Sequence, residues 1–283
     1  FCWTITALAF ESASRKVGSV AVNIIRLIIA LALLGLFTTF QRGMFFPLDA
    51  STHIWIWLLL SGLVGFVIGD LFLFEAFTII GSRLSMLIMT LVPPITVFLG
   101  WAILGEQMAN IHLLGMLITM SGIAIVIFQK SRGSEIVVKY PLKGLLFAFL
   151  GAVGQGTGLV LSKLGMGTFD PFAATQIRVI AGIFGFAILI SLFRRWKSVG
   201  SALIQKSPMK LIFIGAIFGP FLGVSLSLMA AQNTNAGIAA TIMSITPILI
   251  IPPTLIFFKQ KVTWQEIVGA ILSVGGVTLF FVF

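Results

Sequence analysis

"VNIIRLIIALALLG", residues 22–35, is hydrocarbon except for Asn23 and Arg26, and "AATQIRVIAGIFGFA", residues 173–187, repeats the arrangement around Arg178. A guanidinium stays protonated in proteins, so both runs carry a permanent charge among side chains that favour lipid. Only 9% of the 283 residues are charged and 59% are hydrophobic, with mean hydropathy +1.14. A soluble domain carries about 25% charged residues, so this chain cannot cover a water-facing surface. Apolar runs recur at the roughly 18–25 residues needed to cross a hydrocarbon core. They predict an all-α polytopic membrane protein with spans at 1–13, 20–40, 54–78, 82–104 and 111–128, then 142–166, 172–193, 209–231, 237–257 and 264–283.

The breaks between runs carry turn chemistry, as in "GMFFPLDAS", "QKSRGSE", "GTFDPF", "RRWKSVG" and "KSPMK". Pro141, Pro171 and Pro208 fall at or just before helix starts, where a missing N–H costs nothing. The first span is short and the chain begins with Phe1, so about a dozen residues of that helix are expected to precede it. Cys2 is the single cysteine, which excludes a disulfide framework.

The echo of Arg26 in Arg178 extends along the chain. At an offset of about 153, settling at 154, Gly65 pairs with Gly219, Ala76 with Ala230, Met89 with Met243, Pro93 with Pro247, Gly115 with Gly269 and Gly122 with Gly276. Each half holds five spans, and an odd number makes the halves cross the membrane in opposite senses. The expectation is therefore ten transmembrane helices as two inverted five-helix repeats, 1–130 and 144–283, joined by a linker at 131–143. Inverted repeats are a signature of secondary transporters.

Lys and Arg are concentrated in the loops after odd-numbered helices, including Arg15, Arg83, Lys130, Arg194 and Lys206. The other loops hold Arg42 and Lys163. That bias places the odd loops in the cytoplasm and both termini outside. The net charge of +10 therefore reads as topology and contact with anionic headgroups of the bilayer. No aromatic residues interleave these charges in a soluble segment, which argues against nucleic-acid binding.

Broken helices accompany the repeat. "TLVPPITVFLG" places Pro93 and Pro94 in the middle of the fourth span, and "SITPILIIPPTLI" places Pro247 in the middle of the ninth. Each proline removes a helical hydrogen bond, and in lipid the freed carbonyl needs protein or a wet cavity. These kinks are expected to line a pathway at mid-membrane. Glycine pairs Gly65/Gly69 and Gly154/Gly158, with the run Gly215, Gly219 and Gly223, predict close helix contacts beside it.

"AFTIIGSRLSMLIMTLVPPITVFLGWAILGEQMANIHLLGMLITMSGIAIVIF", residues 76–128, resembles the EamA-type half of the drug/metabolite transporter superfamily. "AAQNTNAGIAATIMSITPILIIPPTLIFFKQKVTWQEIVGAILSVGGVTLFFVF", residues 230–283, resembles it again, with Gln260 where the first half has Glu106. The resemblance implies ten helices around a central cavity and export of amino acids, metabolites or drugs. It also implies cytoplasmic termini, the reverse of the charge bias.

Ionisable groups at membrane depth are costly and mark function. Arg26 and Arg178 lie near their helix starts, where they can snorkel or bond loop carbonyls, and they read as structural anchors. Glu75, with Asp70 second, has no counterpart in the other half and is the expected site for a proton or a cationic substrate group. An ion pair with Arg83, Arg26 or Lys163 is the competing role for these acids. Glu11 and Lys163 end equivalent helices and are expected to face each other as a gate pair. Gln155, Ser85, Met89, Thr90, Ser227, Thr241 and Ser244 supply weak polar contacts, and Phe74 or Phe77 suit an apolar substrate. Trp3, Trp55, Trp57, Trp196 and Trp264 read as interfacial anchors.

Enzyme chemistry is disfavoured. Two histidines, His53 and His112, cannot build a histidine-rich metal site, and there is no GxSG-type motif or phosphate-cradling loop. No cofactor is expected. The combined expectation is an inner-membrane secondary transporter with a small-molecule substrate and proton coupling, working by alternating access. A lipid or lipid-precursor flippase is the alternative, and a non-transporting adaptor a more distant one; oligomeric state is not written in the sequence.

Overall fold

The computed structural model describes residues 1–107, 109–130, 136–138, 140–256 and 262–279. Seven stretches among them are long and apolar enough to cross a membrane: Ser19–Arg42, Thr52–Leu104, Asn110–Ile127, Leu142–Met166, Pro171–Leu192, Lys206–Asn233 and Ala236–Ile256. Helices α1 (Cys2–Val17) and α2 (Ser19–Arg42) are followed by the long stretch 52–104. That stretch comprises α3 (Thr52–Gly62), a π-helical segment Leu63–Gly69, α4 (Asp70–Ile88), a 3₁₀ turn Met89–Leu91 and α5 (Val92–Leu104).

The long stretch is not straight. Inside α4, Gly81 has φ 79° and ψ 160°, a left-handed φ that side-chain-bearing residues rarely adopt. The chain turns there, between the expected third and fourth spans. Helix α6 (Asn110–Ile127) leads to a short antiparallel pair, β1 (Phe128–Lys130) with β2 (Ile136–Val138). The expected linker at 131–143 lies partly outside the described residues.

Helices α7 (Leu142–Met166) and α8 (Pro171–Leu192) precede α9 (Trp196–Ile204), a short helix where the sequence predicts only a turn. Val199 and Ala202 of α9 are buried while Lys197, Ser198 and Ser201 are exposed, which makes it amphipathic and explains the missed assignment. Then come α10 (Lys206–Ala216), a second π-helical segment Ile217–Gly223, and α11 (Val224–Asn233). The next stretch is divided into α12 (Ala236–Met243), α13 (Thr246–Leu249) and α14 (Ile251–Ile256), and α15 (Trp264–Thr278) follows.

Helix pairs meet through small residues. A Cβ on Gly154 would lie 2.6 Å from Gly69 Cα, and one on Gly158 would lie 3.0 Å from Gly65 Cα, so α7 crosses the π segment backbone to backbone. Gly215 of α10 and Gly219 of the second π segment instead receive α1 side chains, Phe10 and Thr6 respectively. Helices α6 and α15 cross at Gly122, Gly269 and Gly276. There Thr119 Oγ1 donates to Ser273 O at 3.2 Å and Ser273 Oγ donates to Thr119 O at 3.3 Å. That reciprocity is the pattern of a two-fold interface.

The core is built of Phe10, Leu27, Phe66, Phe77, Ile177 and Phe186, all within about 2% of full burial. Apolar side chains such as Ile28, Phe98, Leu117, Phe184 and Ile188 point outward. An apolar exterior over a mixed interior is what a lipid solvent selects.

Candidate functional site

Helices from both ends of the chain enclose a central cavity of about 100 Å³. A buried water occupies roughly 10–15 Å³ of such volume, so the space admits several waters or a small solute. Arg26, Asp70, Gln155 and Arg178 are its strongly polar lining residues. Met89, Ser227, Ser244 and Pro247 also lie on its wall, with Trp3, Phe74 and Phe77.

Asp70 is 5% exposed and sits where the π segment hands over to α4. Its Oδ2 accepts from Arg26 Nη2, and its Oδ1 accepts from Gln155 Nε2 at 2.5 Å. Gln155 Nε2 also donates to Gly65 O at 3.2 Å. That carbonyl is part of the π segment, where the regular hydrogen-bond ladder shifts by one residue.

Asn23 braces the arginine from one turn earlier on α2. Its Oδ1 accepts Arg26 Nε at 3.0 Å, while its Nδ2 donates to Ser19 O at 3.2 Å and Asp70 O at 3.4 Å. The guanidinium is boxed by Phe10, Phe66 and Phe74, whose centroids lie 5.2, 5.7 and 4.6 Å away. A desolvated cation over aromatic faces gains about 2 kcal/mol or more.

Arg178 is likewise 3% exposed, yet it is held differently. Its guanidinium stacks on Phe66 at 4.9 Å, and its Nε is buried without a hydrogen-bond partner. A Cβ on Gly65 would lie 2.8 Å from Arg178 Nη2, so a side chain there would push the guanidinium from this position. Thr6 Oγ1, on the same cavity wall, is also unpartnered.

These positions correct several expectations. Arg26 and Arg178 do not snorkel to loop carbonyls; both line the cavity, where aromatic faces receive them and Asn23 and Asp70 bond Arg26. Trp3 lines the cavity. Glu75 is not among the lining residues: it is half-buried on α4 and accepts from Ser19 Oγ. Of the two acids, Asp70 is the one in the cavity, paired with Arg26 as the competing role allowed. Arg83 pairs instead with Glu266 at 3.2 Å.

Glu11 and Lys163 do not meet. Glu11 Oε2 accepts Ser82 N at 2.9 Å and Ser82 Oγ at 2.5 Å, and its Oε1 pairs with Arg15 Nη2 at 2.9 Å. Arg15 in turn donates to Phe77 O and Thr78 O, each at 3.2 Å. Lys163 Nζ donates to Glu106 Oε1 and Thr234 O, each at 2.6 Å, and Glu106 Oε1 accepts Ala236 N at 3.3 Å. Each charge therefore serves a different chain break, Gly81 in one case and residues 234–236 in the other. Sequence reading missed Glu106 as Lys163's partner and Asn23 as Arg26's brace; the "GE" pair and the i, i+3 spacing of Asn23 and Arg26 were the available signals.

Pro93 and Pro94 are buried in the first turn of α5 and are not cavity residues, although neighbouring Met89 and Val92 are. The bonds these prolines remove are replaced locally. Val92 N takes Met89 O in the first half, and Thr246 Oγ1 donates to Met243 O at 2.8 Å in the second. Ser85, Thr90 and Thr241 spend their hydroxyls on carbonyls of their own helices and lie off the lining.

The sequence pattern of the EamA-like transporter family matches residues 1–128 and 142–282. The chain belongs to the EamA-like transporter family. It is accordingly a membrane transporter of the drug/metabolite type, and an enzymatic role is foreign to the family. A solved crystal structure superposes on it with a TM-score of 0.66 at 17% identity, covering 99% of this chain and 93% of the other. At that identity the likeness extends to the fold alone. No curated protein matches the chain. Within an EamA-like transporter, the residues just described give the cavity a specific charge pattern: Asp70 pairs directly with Arg26 and acts on Arg178 only from beyond contact distance.

Proposed function

We propose that the chain is a secondary-active exporter of amino acids, small metabolites or drugs. Its ten transmembrane helices form two inverted repeats, 1–130 and 144–283, which rock about the central cavity in alternating access. The observation that carries this reading is the cavity itself, where both halves contribute polar groups at one buried point: Arg26 and Asp70 from the first, Gln155 and Arg178 from the second. The reciprocal Thr119–Ser273 bonds support the two-fold relation, as do the π segments, which lie 154 positions apart from Leu63 to Ile217. Opposed charge networks at the breaks, Glu11–Arg15 and Lys163–Glu106, provide the two ends that open in turn. Asp70 is the carboxylate placed to exchange a proton with cavity water, with Arg26 as its counter-ion.

Cells overexpressing the protein and cells carrying Asp70→Asn are compared by untargeted metabolite profiling of the medium. A solute enriched by the wild type, with its pH-gradient dependence lost in Asp70→Asn, is the expected result. Identical media from expressing and non-expressing cells remove the export reading.

A further inference from the structure

We infer that the solute carried by this cavity is an organic anion, a carboxylate on an apolar and aromatic-sized body, and that Arg178 is the group that binds its charge. The inference rests on the cavity being the transport site and adds the chemical class of its occupant. Three formal charges line the cavity: Arg26, Asp70 and Arg178. Both oxygens of Asp70 are engaged, one by Arg26 and one by Gln155. The charge of the acid is already matched by Arg26, so a cationic substrate would have to compete with that guanidinium, which weighs against the expectation drawn from the sequence that an acid here receives a cation.

What is left over is positive. Arg178 is buried, its Nε has no acceptor, and among the described residues no carboxylate reaches it within ion-pair distance. Buried donors in native proteins are almost always satisfied, and exceptions mark ligand sites or unplaced water. A guanidinium in an apolar site is costly when unpaired. Its planar fork matches a carboxylate through two parallel hydrogen bonds. Thr6 Oγ1 supplies a second unpartnered polar atom on the wall. The remaining surface is mainly apolar, with Trp3, Phe74, Phe77, Met86 and Met243 beside the hydroxyls of Ser227 and Ser244, which suits a hydrophobic body and adapts to its shape.

The test uses the full chain in lipid nanodiscs with three probes of matched shape: 4-phenylbutyrate, 4-phenylbutylamine and 4-phenylbutanol. Saturable binding of the butyrate is expected, about tenfold or more tighter than of the amine or alcohol, as charge-assisted bidentate bonds require. Arg178→Gln lowers it by at least roughly tenfold, and Arg178→Lys, which keeps the charge but loses the fork, lowers it less. Asp70→Asn removes the one competing negative charge, frees Arg26, and raises butyrate affinity. Preference for the amine or alcohol, no butyrate binding, or binding indifferent to Arg178→Gln overturns the inference. If Arg178→Gln does not fold, Asp70→Asn decides: weaker butyrate binding than wild type overturns it.

Flux in proteoliposomes separates this inference from the transport reading. Butyrate that binds through Arg178 but never crosses the bilayer leaves the anion site standing and removes transport. Amine or alcohol flux without butyrate binding does the opposite.

Discussion

Glu11 accepts the backbone amide of Ser82 at 2.9 Å while Arg15, one turn further along the same helix, covers the carbonyls of Phe77 and Thr78. The two side chains grip opposite sides of the break at Gly81. An acid faces the amide that starts a new helix, and a base faces the carbonyls that end the old one, each matching the partial charge of its helix terminus. One i, i+4 pair on α1 thus binds backbone groups on both sides of the turn at Gly81.

Glu11→Gln is expected to destabilise the protein by about 1–3 kcal/mol, the cost of replacing a charged cap and leaving its partner short of compensation. Reversible unfolding of the purified protein in mixed micelles measures it. A change within about 0.5 kcal/mol, the usual effect of a neutral surface substitution, removes the capping role.

Lys163 and Glu106 form one network with Thr234 O and Ala236 N, so their energies should not add. Lys163→Gln alone strands a largely buried carboxylate, and Glu106→Gln alone strands an ammonium. The double substitution relieves both, with a coupling energy of about 0.5–3 kcal/mol. A double-mutant cycle on thermal stability that gives strictly additive losses contradicts the network.

Gly154→Leu is expected to abolish folded protein, because its Cβ would press to 2.6 Å from Gly69 Cα and neither backbone can move aside. Overpacking costs typically 1–3 kcal/mol where side chains can yield, and here only main chain is in the way. The Gly200→Leu control sits where a Cβ meets open space and should express normally. Size-exclusion profiles of the two proteins in detergent make the comparison.

Tyr140 donates to Glu266 Oε1 at 2.7 Å, and burial, helped by that hydrogen bond and the glutamate charge, pushes its hydroxyl pKa upward. The unfolded chain releases this proton near the ordinary tyrosine value of about 10, before the folded protein does. Stability contributed by the group is therefore complete below about pH 10 and declines as pH rises beyond it. Tyr140→Phe should flatten the loss of thermal stability between about pH 10 and 11 relative to wild type. Parallel pH curves for the two proteins contradict this.

Much of the helical layout was legible because lipid imposes a single long period on the sequence. Boundaries at Leu142–Met166 coincide with the expected 142–166, and Pro171 starts its helix at the position its ring favours. Helix α9 was not legible, since nine amphipathic residues with five of Arg, Lys and Ser around them read equally well as a polar turn. The cavity was half legible. Asp70, Gln155, Ser227 and Ser244 stood out as polar groups in apolar runs, but partner choice depends on rotation about helix axes. Asp70, Leu73, Phe74 and Phe77 share one i, i+3, i+4, i+7 face of α4 that lines the cavity, and Glu75 lies off that face. Helical periodicity separates the two acids, but it does not say which of the two faces meets the cavity.

Opposite charges at the two breaks make the halves of this molecule non-interchangeable. At Gly81 an acid and its satellite arginine come from the same half as the break, whereas residues 234–236 depend on a lysine from their own half and on Glu106 from the other. In the sequence, Gln260 stands 154 positions after Glu106, so the second stretch has no carboxylate at the equivalent position. The stretch 142–282 therefore does not carry everything that residues 234–236 need: the carboxylate that holds them arrives only because Glu106 is made in the same polypeptide.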